Sequence, residues 1–461
     1  MLAVTELVEH LDVIGRLDGA IGPIKQRRRG HTAGEVLVGI AAAQLAGEDF
    51  LVGLDRQRAD RAGQQLAPMP GLAATTAAGL ARKFCDGQWV AVETGLGDVA
   101  AAALTALPAD RVAALCQDVT IDLDTTDVEV YGRRKRGVAF NHQGQRVGRP
   151  HVATWADTAT VLAADLLAGN EDPRRDAAAL LRRALAALPA PARGGRIRMR
   201  ADAGYFAGQL ARAALFADVE FAIGARRIAP LWRLLDGLTE SDWTDAIDMP
   251  GAQVAVAAYC PNWWPAATQL LIRRVRLDVS AEPGAGQVSA DPRARRRRTL
   301  HPDQRALPLD ELAELDAVYG YSFIVTNLDV TSAEQAAAVE HWYRHRTQIE
   351  NVFRDAKHGA ALRHLPSGYP EVNRAWMWGA LLAATLAGWL HQLTARTSPD
   401  GSLVGHGVRD GQAMIATLRH RLIRVPARLV RHAGTLTLRL PPDHHLLVEV
   451  LARIRALPVT S

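Results

Sequence analysis

The chain is expected to be an α/β protein whose core is interrupted by a β-rich insertion and preceded by a helical region. Three observations predict this. Residues 1–110 carry Ala-rich amphipathic segments at helical spacing. From 119 to about 224, strand-like runs alternate with helix-like ones, the rhythm of an α/β sheet. Residues 226–318 break that rhythm, which resumes at 321.

Each element has its own signal. Thr32 is a candidate N-cap for a helix through GEVLVGIAAAQLAG. VTIDLDTTDVEVY (119–131) alternates and is β-branched, predicting a strand, a turn near Thr125–Asp127 and a second strand. Short strands continue through 137–157. His142 and His151 flank a Gly-rich turn there and are expected to meet solvent or phosphate. A helix over about 174–188 leads to a strand at Ile197–Ala201, which ends at Asp202-Ala203-Gly204. A further helix (AGQLARAALF) and a strand at Glu220–Gly224 follow. The interrupting region holds Trp232, Trp243, Trp263 and Trp264, the extended runs VAVAAYC and LLIRRVRLDV, and an Arg-rich polar stretch at 281–305 expected to be a mobile loop. YSFIVTNL (321–328) restores the α/β pattern ahead of a helix bearing Glu350. The tail reads as a helix, a hairpin around TLTLRLP and a final amphipathic helix. The expected segments are 1–112 (helical), 113–225 (core, first part), 226–318 (insertion), 319–395 (core, second part, with the helix bearing Glu350) and 396–461 (C-terminal region).

Composition narrows the class. The 461 residues are 48% hydrophobic and 22% charged, an ordinary globular balance, with a net charge of +5. The cations are local: KQRRRG at 25–30, RRKR at Arg133, Arg134, Lys135 and Arg136, and RARRRR at 293–298. Such runs suit a polyanion such as nucleic acid. Three scattered cysteines form no CxxC, so neither a zinc ribbon nor a disulfide framework is indicated and a reducing cytoplasm is the expected setting. The acidic N-terminus does not resemble a signal peptide. The uncharged run Ala375–Leu390 falls short of the roughly 20 residues that span a bilayer, so a buried helix is expected and no membrane partner. No GxxxxGK[ST] loop occurs, so ATP use is not implied.

The chemistry is concentrated at 343–357, YRHRTQIENVFRDAK. On one helix Tyr343, Arg346, Glu350 and Lys357 would fall at about 0°, −60°, −20° and −40°. A carboxylate flanked by cations on one narrow face suits a metal-dependent enzyme acting on phosphodiesters. A solvated face with i, i+4 ion pairs is the ordinary alternative. Two-metal phosphoryl transfer needs about three converging carboxylates. Asp122 and Asp124 lie on one face of the first strand, and Asp202 follows a later strand in RADAGYF. Either first-strand acid could be a turn residue, and Asp202 a helix N-cap. Together with Glu350, their order suits a ribonuclease H-like site.

These residues resemble those of bacterial insertion-sequence transposases of the DDE class, and are most similar to the group-1380 insertion-sequence family. The first-strand IDLDTT, the RADAGYF motif and the signature Tyr-x2-Arg-x3-Glu-x6-Lys carry the resemblance, which covers most of the chain. It implies a ribonuclease H-like core in which Asp124, Asp202 and Glu350 hold two Mg²⁺ or Mn²⁺ ions. It also implies that Tyr343, Arg346 and Lys357 contact phosphates. Asp124 is preferred to Asp122 because a small residue and Thr typically follow the family's first acid; Thr125 departs from the commonest small residue, so the choice stays open. The resemblance further implies double-stranded DNA with terminal inverted repeats and target DNA as partners, a homodimer in the synaptic complex, and a cytoplasmic, nucleoid-associated protein. Excision could pass through a hairpinned end, with an insertion aromatic against a flipped base; no particular tryptophan is singled out. Two other readings remain at this stage: a stand-alone ribonuclease H-like nuclease, and a catalytically inactive or domesticated DNA-binding protein.

Overall fold

A computed structural model describes residues 1–27, 29–66, 71–266, 268–277, 318–399, 402–408, 411–442 and 444–458. The Arg-rich stretch at 281–305, with its basic run 293–298, lies outside the described residues. The chain divides into two units, Met1–Phe221 with His345–Ser461, and Ala222–Arg344.

The first unit opens with helices, including α1 (Leu2–His10), α2 (Val13–Ile21), α3 (Ala33–Leu45) and α4 (Asp86–Thr105). Thr32 starts α3 as expected. Its side chain accepts the Glu35 N–H at 3.2 Å, and the Glu35 carboxylate accepts the Thr32 N–H at 2.8 Å. This capping box is worth about 1 kcal/mol. Gly379 of α9 (Pro370–Thr394) allows a close approach to α3: a Cβ there would stand 2.5 Å from Ile40. The apolar run within α9 is buried, with Trp376, Trp378 and Trp389 among the largest enclosed side chains. No helix among the described residues is long and apolar enough to cross a membrane.

Behind these helices stands an open mixed sheet. Its strands are β1 (Asp118–Thr125), β2 (Val128–Glu129), β3 (Ala139–Phe140), β4 (Arg146–Trp155), β5 (Thr160–Ala168) and β6 (Arg196–Ala201). β4 pairs antiparallel with β1, β2, β3 and β5, while β1 and β6 run parallel. Helix α5 (Ala177–Ala187) packs on β4 and β5, and α6 (Gly208–Phe216) packs on α5. Two β5 N–H groups are taken by helix side chains: Ala164 donates to Glu93 of α4 at 3.1 Å, and Val161 to Thr385 of α9 at 3.1 Å. These bonds tie the helical layer to the sheet and help to cover the β5 edge. His151 lies inside β4 and is fully buried, which corrects the expectation of solvent or phosphate contact; His142 is exposed.

In the second unit, the strands β7 (Glu220–Ala225), β11 (Val318–Thr326), β10 (Gln269–Leu277), β9 (Ala252–Ala258) and β8 (Thr244–Asp245) form an antiparallel ladder in that spatial order. Helix α7 (Ala333–Arg344) packs on it. Ala222, Val254, Leu271, Ile324 and Ala336 belong to its hydrophobic core. Strand alternation sets Tyr319, Tyr321 and Phe323 on the face of β11 opposite Ile324. Trp232 meets Tyr321 and Phe323 edge-on, and Trp243 is tilted against Tyr321.

One expected element differs. The stretch 343–357 is two helices, because α7 ends at Arg344 and α8 spans Thr347–His358. No Gly or Pro marks the break. The break falls at the boundary of the two units: Tyr343 lies against the hydrophobic core just described, while Ile349, Val352, Phe353 and Ala356 are buried in the first unit.

Candidate active site

Sheet register brings the first two acids together. The parallel β1–β6 ladder runs from Asp118↔Arg196 to Leu123↔Ala201. Asp124 and Asp202 each come one residue after the last pair, side by side at the carboxyl ends of neighbouring parallel strands, where open α/β sheets form their sites. Asp122 is placed differently. It is fully buried, and both its oxygens accept from Arg200, at 2.7 and 2.9 Å. Asp124 accepts the Thr125 N–H at 2.7 Å and an Arg346 N–H at 2.9 Å. Burial raises the Asp124 pKa to about 6; Arg346 opposes this and the Asp202 carboxylate adds to it. Asp202 also caps a short turn, accepting the Gly204 N–H at 2.9 Å. The helix that follows, α6, is instead capped at Ala207, so Asp202 is not its N-cap.

Helix α8 reaches the same end of the sheet through Arg346. Its guanidinium lies 3.9 Å from Glu350 as well as on Asp124, and Glu350 is mostly exposed. The Lys357 ammonium donates to the Asp127 carbonyl at 2.9 Å, and burial lowers its pKa. It therefore braces the turn after Asp124, a turn also held by Arg149 and Asn141 on the Asp127 carboxylate, both at 2.7 Å. Arg346, Glu350 and Lys357 share the first unit with Asp124 and Asp202. Tyr343 belongs to the second, half-buried at the end of α7. Arg133, Arg134 and Arg136 are exposed on the loop between β2 and β3, whereas the Lys135 ammonium is tied to the Leu365 carbonyl.

Sequence reasoning missed two neighbours, Arg200 and Tyr205, and misplaced a third, His151. Arg200 neutralises Asp122, and its only signal is its place two residues before Asp202. Tyr205 of RADAGYF is wholly buried against His151, ring centres 5.6 Å apart. Among the described residues, neither the hydroxyl nor either imidazole nitrogen has a hydrogen-bond partner. Burial pushes the Tyr205 hydroxyl well up and brings His151 down to about 4.

Among the described residues, no three His, Cys, Asp or Glu side chains gather closely enough to hold a metal ion. The donor set nevertheless suits a hard cation. Asp124 and Asp202 are adjacent carboxylates with like charge, and Arg346 supplies a positive group between Asp124 and Glu350.

The chain is thus a mixed α/β protein with an open sheet, flanking helices and an acidic pair at its parallel strand ends. A family model described as transposase DDE domain group 1 matches residues 2–286 and 311–459, and the chain belongs to that family. Membership implies divalent-metal use in general. Among solved structures, the chain is similar to that in a piggyBac transposase synaptic complex with hairpin DNA, at 10% identity and a TM-score of 0.40, covering 90% of this chain and 78% of that one. No curated protein matches the chain.

Proposed function

We propose that this protein is a DNA transposase of the group-1380 insertion-sequence kind, cutting the ends of a mobile element and joining them to target DNA. The observation that carries this is the meeting of Asp124 and Asp202 at adjacent strand ends, with Arg346 bonded to Asp124 and close to Glu350. In this reading the open sheet is a ribonuclease H-like core in two parts (113–225 and 319–395), interrupted by the 226–318 insertion. Residues 1–112 add DNA-binding helices, and 396–461 form a C-terminal region.

Asp124, Asp202 and Glu350 would hold two Mg²⁺ or Mn²⁺ ions. When bound, these supply Lewis-acid stabilisation of the attacking and leaving oxygens of an in-line displacement. The remaining work falls to the protein. Arg346 turns its guanidinium from Asp124 to the phosphate oxygens. Lys357 holds the turn behind Asp124 and adds positive charge beside the backbone. Tyr343, from its own helix, contacts a neighbouring phosphate. Arg133, Arg134, Lys135 and Arg136 give sequence-independent affinity. Asp122 takes no part, because Arg200 occupies both its oxygens. The substrates are double-stranded terminal inverted repeats and target DNA, and pairing two ends requires a homodimer. The setting is the cytoplasm, at the nucleoid.

Glu350→Gln tests this. It is expected to abolish strand cutting of the element's ends with Mg²⁺ or Mn²⁺ while end binding survives in a mobility-shift assay. Wild-type cutting by that variant would sink the assignment.

A further inference from the structure

Three chain segments far apart in sequence meet at one exposed ring in the first unit. Tyr369 is 40% exposed. The Arg82 guanidinium carbon lies 4.1 Å from its ring centre and that of Arg136 lies 5.0 Å away. The platform is held from below. The Arg136 N–H donates to the Gly368 carbonyl at 3.2 Å, and the Lys135 ammonium binds the Leu365 carbonyl. The Tyr369 N–H donates to Ser367 Oγ at 3.1 Å, while the Asn373 amide accepts from the Ser367 N–H at 2.9 Å and donates to its carbonyl at 3.0 Å.

Among the described residues, Arg82, Arg133, Arg134 and Arg136 form no ion pair with a carboxylate. Arg374, one turn into the helix that follows Tyr369, is already paired with Asp86 at 2.9 Å. Two guanidiniums on one ring stand within about one Debye length, roughly 8–10 Å, and repel each other. Cation–π contact with the ring offsets part of that cost. It also leaves the planar N–H edges available to an anion that accepts in pairs, as a phosphodiester does.

We propose that Arg82, Arg136 and Tyr369 form one phosphate-gripping surface for the DNA backbone, joining the helical N-terminal region to the 133–136 loop. The proposal rests on the DNA-processing function above. It adds two residues, Arg82 and Tyr369, that no charge run signals. It is a positioning contact, carrying register rather than base sequence.

The test is anisotropy titration of the full-length protein against a labelled duplex, between about 50 and 200 mM salt. Arg82→Gln and Arg136→Gln should each lower the slope of log K against log salt by about one, and the double variant by about two. Tyr369→Leu should weaken binding with the slope kept, since charge remains but its orientation is lost. Arg193→Gln, an exposed arginine elsewhere, should change neither. A wild-type slope in the double variant would overturn the surface alone, as would an equal loss in Arg193→Gln. Failure of the wild-type protein to bind duplex DNA would overturn both the surface and the function on which it rests. Thermal melting of each variant separates lost contact from lost fold.

Discussion

Asp122 and Asp124 show how two residues of one type, on one strand face, acquire opposite duties. Alternation in IDLDTT places them together, and no local signal separates them. Register does: Asp122 stands opposite Arg200, while Asp124 comes one residue after the last β1–β6 pair. A buried ion pair is costly to break, because the surviving partner is left as an uncompensated charge. Asp122→Ala should therefore destabilise the protein by about 3–5 kcal/mol, read from the midpoint of urea unfolding. Asp124→Asn, which keeps an acceptor for Arg346, should shift that midpoint less than Asp122→Ala and remove end cleavage. The reverse pattern would make Asp122 the first acid. Asp355 is a similar case. In sequence it is an ordinary charge on a helix; in the fold it is buried, and both its oxygens accept the Ile415 N–H, at 2.8 and 2.9 Å.

At the scale of elements, α8 matters because it carries Glu350. Its polar stripe was read from the sequence; the structure adds the opposite, buried face of Ile349, Val352, Phe353 and Ala356. Its start was not legible, because the break after Arg344 has no sequence marker and falls at the boundary of the two units. What holds its far end was also hidden. The Arg419 guanidinium donates to the carbonyls of Leu45 at 2.8 Å and Gln44 at 2.9 Å, and to that of Gly359. It thus adds a charged donor to carbonyls at the C-terminal ends of both α3 and α8, among them that of Gln44, which also accepts the Gly47 N–H at 2.9 Å. Arg419→Ala should cost about 1.5–3 kcal/mol, the range for hydrogen bonds to a charged group. Hydrogen exchange should show faster opening of the last turns of α3 and α8. Unchanged exchange there would remove the clamp from the account of how Glu350 is held.

For the first unit as a whole, Glu93 joins the helical layer to the sheet. It is buried on α4, accepts the Ala164 N–H of β5 and lies 3.2 Å from Arg183 of α5. Burial raises its pKa to about 7, against the pull of Arg183. The folded state therefore holds this proton where the unfolded chain has lost it. Its contribution to stability is full below about 4.5 and declines as pH rises through about 7. Urea midpoints measured across that window should fall more steeply in the wild type than in Glu93→Gln. Parallel curves would mean that Glu93 titrates as an exposed carboxylate.

The sequence by itself determined the kinds and order of the elements: the capped α3, the alternating β1, the α/β rhythm to 224 and the buried apolar helix α9. It also carried the acids Asp124, Asp202 and Glu350 in order, because helix and strand periodicities and cap residues are local. Only the tertiary structure decided which of two acids Arg200 neutralises, where 343–357 divides, and that Arg82, Arg136 and Tyr369 share a surface. Those outcomes depend on strand register and on side chains that meet across long separations, and neither leaves a local pattern in the chain.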